Sequence, residues 1–291
     1  MKYTYFPGCS AKAGSISLDM STRAVAKALG LELKELEDWN CCGATAYTSI
    51  SEMSACALCG RNLALAEPEG LEMITPCSAC YTALRKTNKY IQEYSQVRKG
   101  VGEALAAGGL KYGGGVKVKH VAEALVEGDG IEAIRAKVKT PLKGLKVAVY
   151  YGCQLTRPTP SYDDPERPQS LDHLVEALGA EAVPFPLKTR CCGGSSIVSR
   201  PESALEMISK ILVNAVQNGA QCIVTPCPLC HINLDGYQGQ VNKRYKANFQ
   251  IPTLFVLQLA GVALGAGPKE LGLGKNIVSA SKVLAPFGMG A

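Results

Sequence analysis

Thr75-Pro76-Cys77-Ser78-Ala79-Cys80 returns in the second half of the chain as Thr225-Pro226-Cys227-Pro228-Leu229-Cys230. Upstream of each CxxC lies a Cys-Cys-Gly triplet, Cys41-Cys42-Gly43 and Cys191-Cys192-Gly193, with 34 residues between the cysteine pair and the CxxC both times. A lone cysteine precedes each triplet, Cys9 by 31 intervening residues and Cys153 by 37. The flanks repeat as well. Tyr5-Phe6-Pro7-Gly8-Cys9 resembles Tyr150-Tyr151-Gly152-Cys153, and Ser17-Leu18-Asp19 returns as Ser170-Leu171-Asp172. Self-similarity at this level is the mark of an internal duplication. The turn-forming stretch Thr140-Pro141-Leu142-Lys143-Gly144 separates the copies, so the expected domains are residues 1–142 and 143–291.

Segments Lys2 to Phe6, Glu72 to Thr75, Lys146 to Tyr150 and Cys222 to Thr225 are short apolar or β-branched runs that end in Gly or Pro just before a cysteine. Each predicts a strand with a thiol at its carboxyl end. Helical periodicity follows over Leu18 to Leu29, Ser78 to Val97, Leu171 to Leu178, Ala204 to Gln217 and Leu229 to Val241. Alternating strands and helices predict an α/β fold: two duplicated Rossmann-like domains with small parallel sheets, related by a pseudo-twofold axis. Ligands of such sheets sit outside the carboxyl ends of the strands, where these cysteines fall. The longer gap in the second copy is an insertion, Thr156 to Gln169, whose Pro158, Pro160, Pro165 and Pro168 predict a loop.

The 291 residues are 47% hydrophobic and 19% charged, a globular balance with room for two cores of about 145 residues. The longest apolar stretch, Ile251 to Gly265, is too short for a transmembrane helix. MKYTYFPGCS has no secretory core or cleavage site, so a cytoplasmic location is expected. The net charge of +6 is scattered, without the basic stripe of a nucleic-acid binder, and suits small anionic ligands or an acidic partner. Thirteen cysteines form an odd number in a large chain without a secretory signal, which favours metal binding over a disulfide framework.

A structural zinc takes four ligands and so does a cubane iron–sulfur cluster, whereas each copy here offers five thiols. Adjacent cysteines need a special turn, and Gly43 and Gly193 supply its backbone freedom. The double array of lone Cys, Cys-Cys-Gly and CxxC resembles the tandem CCG domains of the heterodisulfide reductase B subunit and its relatives, over about Lys2 to Gly261. The resemblance implies two non-cubane [4Fe-4S] clusters, one on Cys9, Cys41, Cys42, Cys77 and Cys80, the other on Cys153, Cys191, Cys192, Cys227 and Cys230. It implies cleavage of a small anionic disulfide between them, the CoM-S-S-CoB heterodisulfide of methanogenesis or an analogue. Electrons would come from a flavin-bearing A subunit through an iron–sulfur C subunit of the same complex. Both 34-residue gaps lie at the short end of the family's range.

Reducing a disulfide takes two electrons and two protons, and an iron–sulfur cluster normally passes one electron at a time. His231, directly after the second CxxC, is a candidate proton or hydrogen-bond donor, or a residue that only caps or packs; His120 is a second candidate, and His173 reads as an ordinary helix residue. Arg157, Lys188 and Arg190 are candidate substrate cations, with solvated surface charge as the alternative. Cys56, Cys59 and Cys222 read as small core residues. Competing functions are an electron-transfer component of another oxidoreductase complex, of the lactate or glycolate, quinone-linked or aromatic-ring type, and a zinc-stapled scaffold.

Overall fold

The most apolar strands lie in the middle of the sheets and the most charged ones at the edges, as burial on both faces demands. A computed structural model describes residues 1–44, 47–157 and 162–290. In the first sheet β1 (Lys2–Tyr5), β2 (Glu32–Glu35), β3 (Met73–Thr75) and β4 (Val118–His120) run parallel in the order β2-β1-β3-β4. In the second, β5 (Lys146–Val149), β6 (Glu181–Ala182), β7 (Cys222–Thr225) and β8 (Thr253–Phe255) are parallel in the matching order β6-β5-β7-β8. Strands β3 and β7 are buried at every residue, while β2 alternates exposed and half-buried side chains. Lys2–Glu32 and Lys34–Glu69 ion pairs line that edge and mask it from further pairing.

The four strands anticipated from apolar runs are the central ones, β1, β3, β5 and β7. The outer four are too short or too charged to show a period. Two anticipated helices are each divided. Ser78 to Val97 breaks at Tyr94 into Ser78–Glu93 and Ser95–Ala107, and Leu229 to Val241 breaks at Tyr237 into Pro228–Gly236 and Gln238–Tyr245. Apolar periodicity continues across such a break, so it does not reveal it. Of the anticipated insertion loop, Pro158 and Pro160 lie outside the described residues; Pro165 and Pro168 lie in irregular chain, and Thr156 closes a short helix, Cys153–Thr156.

The halves exchange helices. The helix after β8, Val256–Ala263, packs on Ile16–Leu29 of the first half. Reciprocally, Val121–Val126 and Gly130–Lys137, which follow β4, pack on Ser170–Ala177 of the second half. One core cluster therefore runs from Leu18 and Ile74 to Val147 and Leu254. Each fully buried large aliphatic chain in it contributes about 1.5–3 kcal/mol, so the interface between the halves is part of the folding core.

Candidate metal centres

Cys9, Cys77, Cys153 and Cys227 follow β1, β3, β5 and β7, while the adjacent pairs follow β2 and β6, so all ten thiols gather at the carboxyl edges of their sheets. Cys77 and Cys227 are N-caps of the helices that begin at Ser78 and Pro228. Proline suits that first position because its missing N–H has no helical partner. The free N–H groups of a first turn favour the anionic form of a nearby sulfur. Cys77 and Cys227 are further fixed by their own N–H groups, which donate to the hydroxyls of Thr75 at 3.5 Å and Thr225 at 3.4 Å.

Cys9 and Cys41 bring their Sγ atoms to 3.4 Å, Cys42 and Cys80 to 3.3 Å, and Cys192 and Cys230 to 3.4 Å. All of these cysteines are free thiols. Protons are shared unequally among them. Hydrogen bonding from Cys153 pulls the Cys191 thiol down to about 6, that from Cys41 holds Cys42 well below the usual thiol value, and Cys230 lowers Cys227. Their partners Cys80, Cys153 and Cys230 are pushed up by the same contacts and by burial. Cys9, Cys41 and Cys191 are exposed, which leaves one side of each set open.

Gly8 and Gly152 form the cradle. Both have positive φ, 74° and 70°, and a Cβ would stand 2.8 Å from Cys80 Sγ at Gly8 and 3.0 Å from Cys230 Sγ at Gly152. A side chain there would occupy the space between the thiols. Gly43 and Gly193, also at positive φ, turn the backbone so that their N–H groups donate to Cys41 Sγ at 3.5 Å and Cys191 Sγ at 3.3 Å. Among the described residues no three His, Cys, Asp or Glu donors converge tightly enough for a single ion. Five thiols around a bulkier cradle fit a multi-iron sulfide, whose ligands are spread over several metal atoms.

A family of cysteine-rich domains designated CCG matches residues 3–85 and 147–235, once in each half. This chain belongs to the CCG family. A CCG relative from Wolinella succinogenes, the 8-methylmenaquinol:fumarate reductase membrane anchor subunit, is 37% identical over 97% of this chain and 99% of its own length. Another from Methanosarcina acetivorans, the B subunit of the ferredoxin/F(420)H(2)-dependent CoB-CoM heterodisulfide reductase, is 32% identical over 98% of this chain and 96% of its own. A hypothetical protein from Helicobacter pylori shares the fold at a TM-score of 0.80 and 19% identity; this chain covers 52% of that one and is itself covered to 96%. These CCG relatives support an iron–sulfur subunit of an oxidoreductase complex. None of the helices is long and apolar enough to cross a membrane, among the described residues.

The other candidate residues are placed unevenly around the CCG sites. His231 is buried, and burial lowers it to about 4; its Nε2 stands 3.1 Å from Asn276 Nδ2, which also donates to the Thr253 carbonyl at 2.7 Å. His120 is fully buried and held at about 3 by desolvation; its Nδ1 accepts from the Ala122 N–H at 3.0 Å and so caps Val121–Val126. Lys188 is not a free cation: Asp172 grips it at 2.7 Å, and the Pro168 carbonyl accepts from it at 3.1 Å. Arg157 pairs with Glu166 at 2.8 Å, at the surface. Arg190, beside Cys191, is exposed; its carbonyl accepts from the Tyr150 hydroxyl. Cys56, Cys59 and Cys222 are buried, but Cys59 Sγ donates to the carbonyl of Cys42 at 3.2 Å. In the second half Asn233 does this work, donating to the Cys192 carbonyl at 2.9 Å. Spacing had no means of showing these two supports, because they come from non-equivalent positions. A cavity of about 820 Å³ between Glu123 and His173 is lined by none of the ten cysteines.

Proposed function

We propose that this chain is the B subunit of a heterodisulfide reductase-like complex, which reduces a disulfide to two thiols with two electrons and two protons. In this reading residues 1–142 and 143–291 form the two domains. Cys9, Cys41, Cys42, Cys77 and Cys80 hold one non-cubane [4Fe-4S] cluster, and Cys153, Cys191, Cys192, Cys227 and Cys230 hold the other. When bound, such groups supply single electrons, so a pair matches the two-electron demand of one disulfide. The observation that carries the reading is that helices starting at cysteines of the two sets pack on each other. The helix Ser78–Glu93, which starts at the first CxxC, packs against Cys153–Thr156, and Thr82 donates to the Gln154 carbonyl across the junction. Gly14, near Cys9, likewise approaches Ile232, near Cys230.

In this reading the chain's own residues place an anionic disulfide. Arg190 offers an exposed guanidinium beside Cys191, while Arg157 and Lys188 act through charges already shared with Glu166 and Asp172. Protons enter from solvent on the open side of Cys9, Cys41 and Cys191, since His120 and His231 are held neutral near pH 7. A flavin-bearing A subunit and an iron–sulfur C subunit supply the electrons, in the cytoplasm.

A second reading, favoured by the 37% identity to the Wolinella protein, is electron transfer within a quinol-linked fumarate reductase. The two readings part on the complex purified anaerobically with its partners. Disulfide-dependent oxidation of a reduced viologen supports the first. Quinol–fumarate turnover with no disulfide turnover replaces it with the second.

A further inference from the structure

Residues 271–278 lie beyond the second CCG segment and form an irregular strap around the turn Leu273–Lys275. Gln258 donates to the Leu271 carbonyl and to Asn276 Oδ1, both at 3.1 Å. Leu271 is fully buried against Gly261, where its side chain takes the space a Cβ would need. Gly272 presses as closely on the first half: a Cβ there would stand 2.9 Å from Ser17 Cβ and 3.1 Å from Met20 Sδ. The strap therefore fills the seam where Val256–Ala263 of the second half meets Ile16–Leu29 of the first, and its contacts there are Gln258, Gly261, Ser17 and Met20. Asp235 fastens its end by accepting the N–H groups of Ile277 and Val278.

The duplication builds this seam a second time. Ser17-Leu18-Asp19-Met20 matches Ser170-Leu171-Asp172-His173. His120 matches Phe255, because each pairs with the threonine of a Thr-Pro-Cys turn, and this sets Glu123 against Gln258 and Val126 against Gly261. Glu123 and Gln258 accept the N–H of His120 at 3.3 Å and of Phe255 at 2.9 Å, one cap used twice. The residues matched to the strap's four contacts are thus Glu123, Val126, Ser170 and His173, and all four line the cavity of about 820 Å³. What the strap fills in one seam is open in the other. The chemistry of the open seam also differs. Glu123 replaces Gln258 and is joined by the carboxylates of Glu127, Asp163 and Asp164 against the single guanidinium of Arg167, so the lining is acidic. Complementary charge selects a cationic occupant. We propose that this cavity is the docking site for a short basic segment of a partner subunit, held across its seam as the strap is held across the other, with a cation toward Glu123. The proposal goes beyond the function given above and needs only that the chain is one subunit of a complex.

Two synthetic peptides serve as probes in calorimetric titrations of the anaerobic protein: residues 268–280 of this chain, which carry the strap, and the same segment with Asn276→Lys. The Asn276→Lys peptide is expected to bind about tenfold more tightly than the unchanged one, the effect of one charge-assisted contact. Glu123→Gln in the protein keeps a cap that Gln258 already makes in the other half, so the fold is retained and the tenfold preference should vanish. His173 is exposed, and His173→Trp should block the seam and abolish binding at an unchanged melting temperature. Absence of binding by either peptide up to about 1 mM overturns the proposal, as does binding that survives His173→Trp. Equal affinity of the two peptides overturns the basic chemistry of the occupant. Free lysine amide binding as tightly as the Asn276→Lys peptide would make the cavity a site for a small cation and overturn docking of a chain segment. Iron is measured on the same samples, and its absence would remove the iron–sulfur reading while leaving the outcome of these titrations to stand.

Discussion

His231 stacks on Phe255 with ring centroids 4.2 Å apart and planes 15° from parallel. The matched positions in the first half hold Tyr81 and His120, edge to face at 5.8 Å. Each half therefore seats one histidine and one carbocyclic ring between its CxxC helix and its fourth strand, with the histidine on opposite members of the pair. Burial in an aromatic slot keeps both imidazoles neutral, which makes them packing and hydrogen-bonding groups.

Cys9→Ser and Cys153→Ser should each remove one centre, because a ligand thiolate contributes metal binding and folding free energy together. Iron and acid-labile sulfide should fall from about eight to about four per chain. Wild-type protein holding only about four irons would show that one set binds something else.

Cys59→Ala should keep both centres and lower stability by about 1–3 kcal/mol, through a small cavity and the Cys42 carbonyl left without its donor. Cys56→Ala should likewise keep both. Chemical denaturation with parallel iron analysis checks this, and loss of half the iron in Cys59→Ala would make that thiol a ligand.

Gly8→Ala should abolish the first centre and spare the second. Its φ of 74° with ψ of 160° costs a side chain about 1–3 kcal/mol, and the new Cβ would lie 2.8 Å from Cys80 Sγ. Spectra showing two intact centres would mean that the cradle holds no cluster.

Lys188→Met should destabilise the fold by about 2 kcal/mol, leaving the Asp172 carboxylate without its cationic partner and held only by the Tyr151 hydroxyl at 2.6 Å. Arg190→Ala should stay within about 0.5 kcal/mol of wild type and weaken binding of an anionic disulfide. Thermal melts with binding titrations test the pair; equal loss of binding in both at unchanged stability would assign Lys188 to substrate.

Burial raises the Asp235 carboxyl to about 6, although the N–H groups of Ile277 at 2.6 Å and Val278 at 3.2 Å favour its ionised form. The folded state then binds the proton more tightly than the unfolded chain, so this group's contribution falls as pH rises from about 4 to about 6. Asp235→Asn should gain on wild type by an amount on the order of 3 kcal/mol between pH 4 and pH 7. Denaturation at both pH values measures it, and a pH-independent difference would contradict the raised value.

The ten cysteines, their division into two sets of five and the central strands β1, β3, β5 and β7 were all legible in the sequence. Each is a matter of local pattern: apolar runs that end at a turn, and spacing that repeats. The edge strands β2 and β6 were not legible, because Glu32–Glu35 is mostly charged and Glu181–Ala182 is only two residues long. Gly8 and Gly152 carried a signal in plain view, a glycine before the lone cysteine of both halves, but its meaning required the sulfur that the missing Cβ would strike.

By itself the sequence determined which chemistry this chain offers, since residue type and period are covalent facts that no packing changes. Only the tertiary structure decided which groups meet. Lys188 and Arg190 are two residues apart, yet one is neutralised by Asp172 and the other stands in solvent. Val256–Ala263 of the second half packs on Ile16–Leu29 of the first, and Thr82 donates to the Gln154 carbonyl across the junction. Those outcomes depend on how two similar domains close against each other, a non-local arrangement selected by burial of the shared core rather than by any local preference.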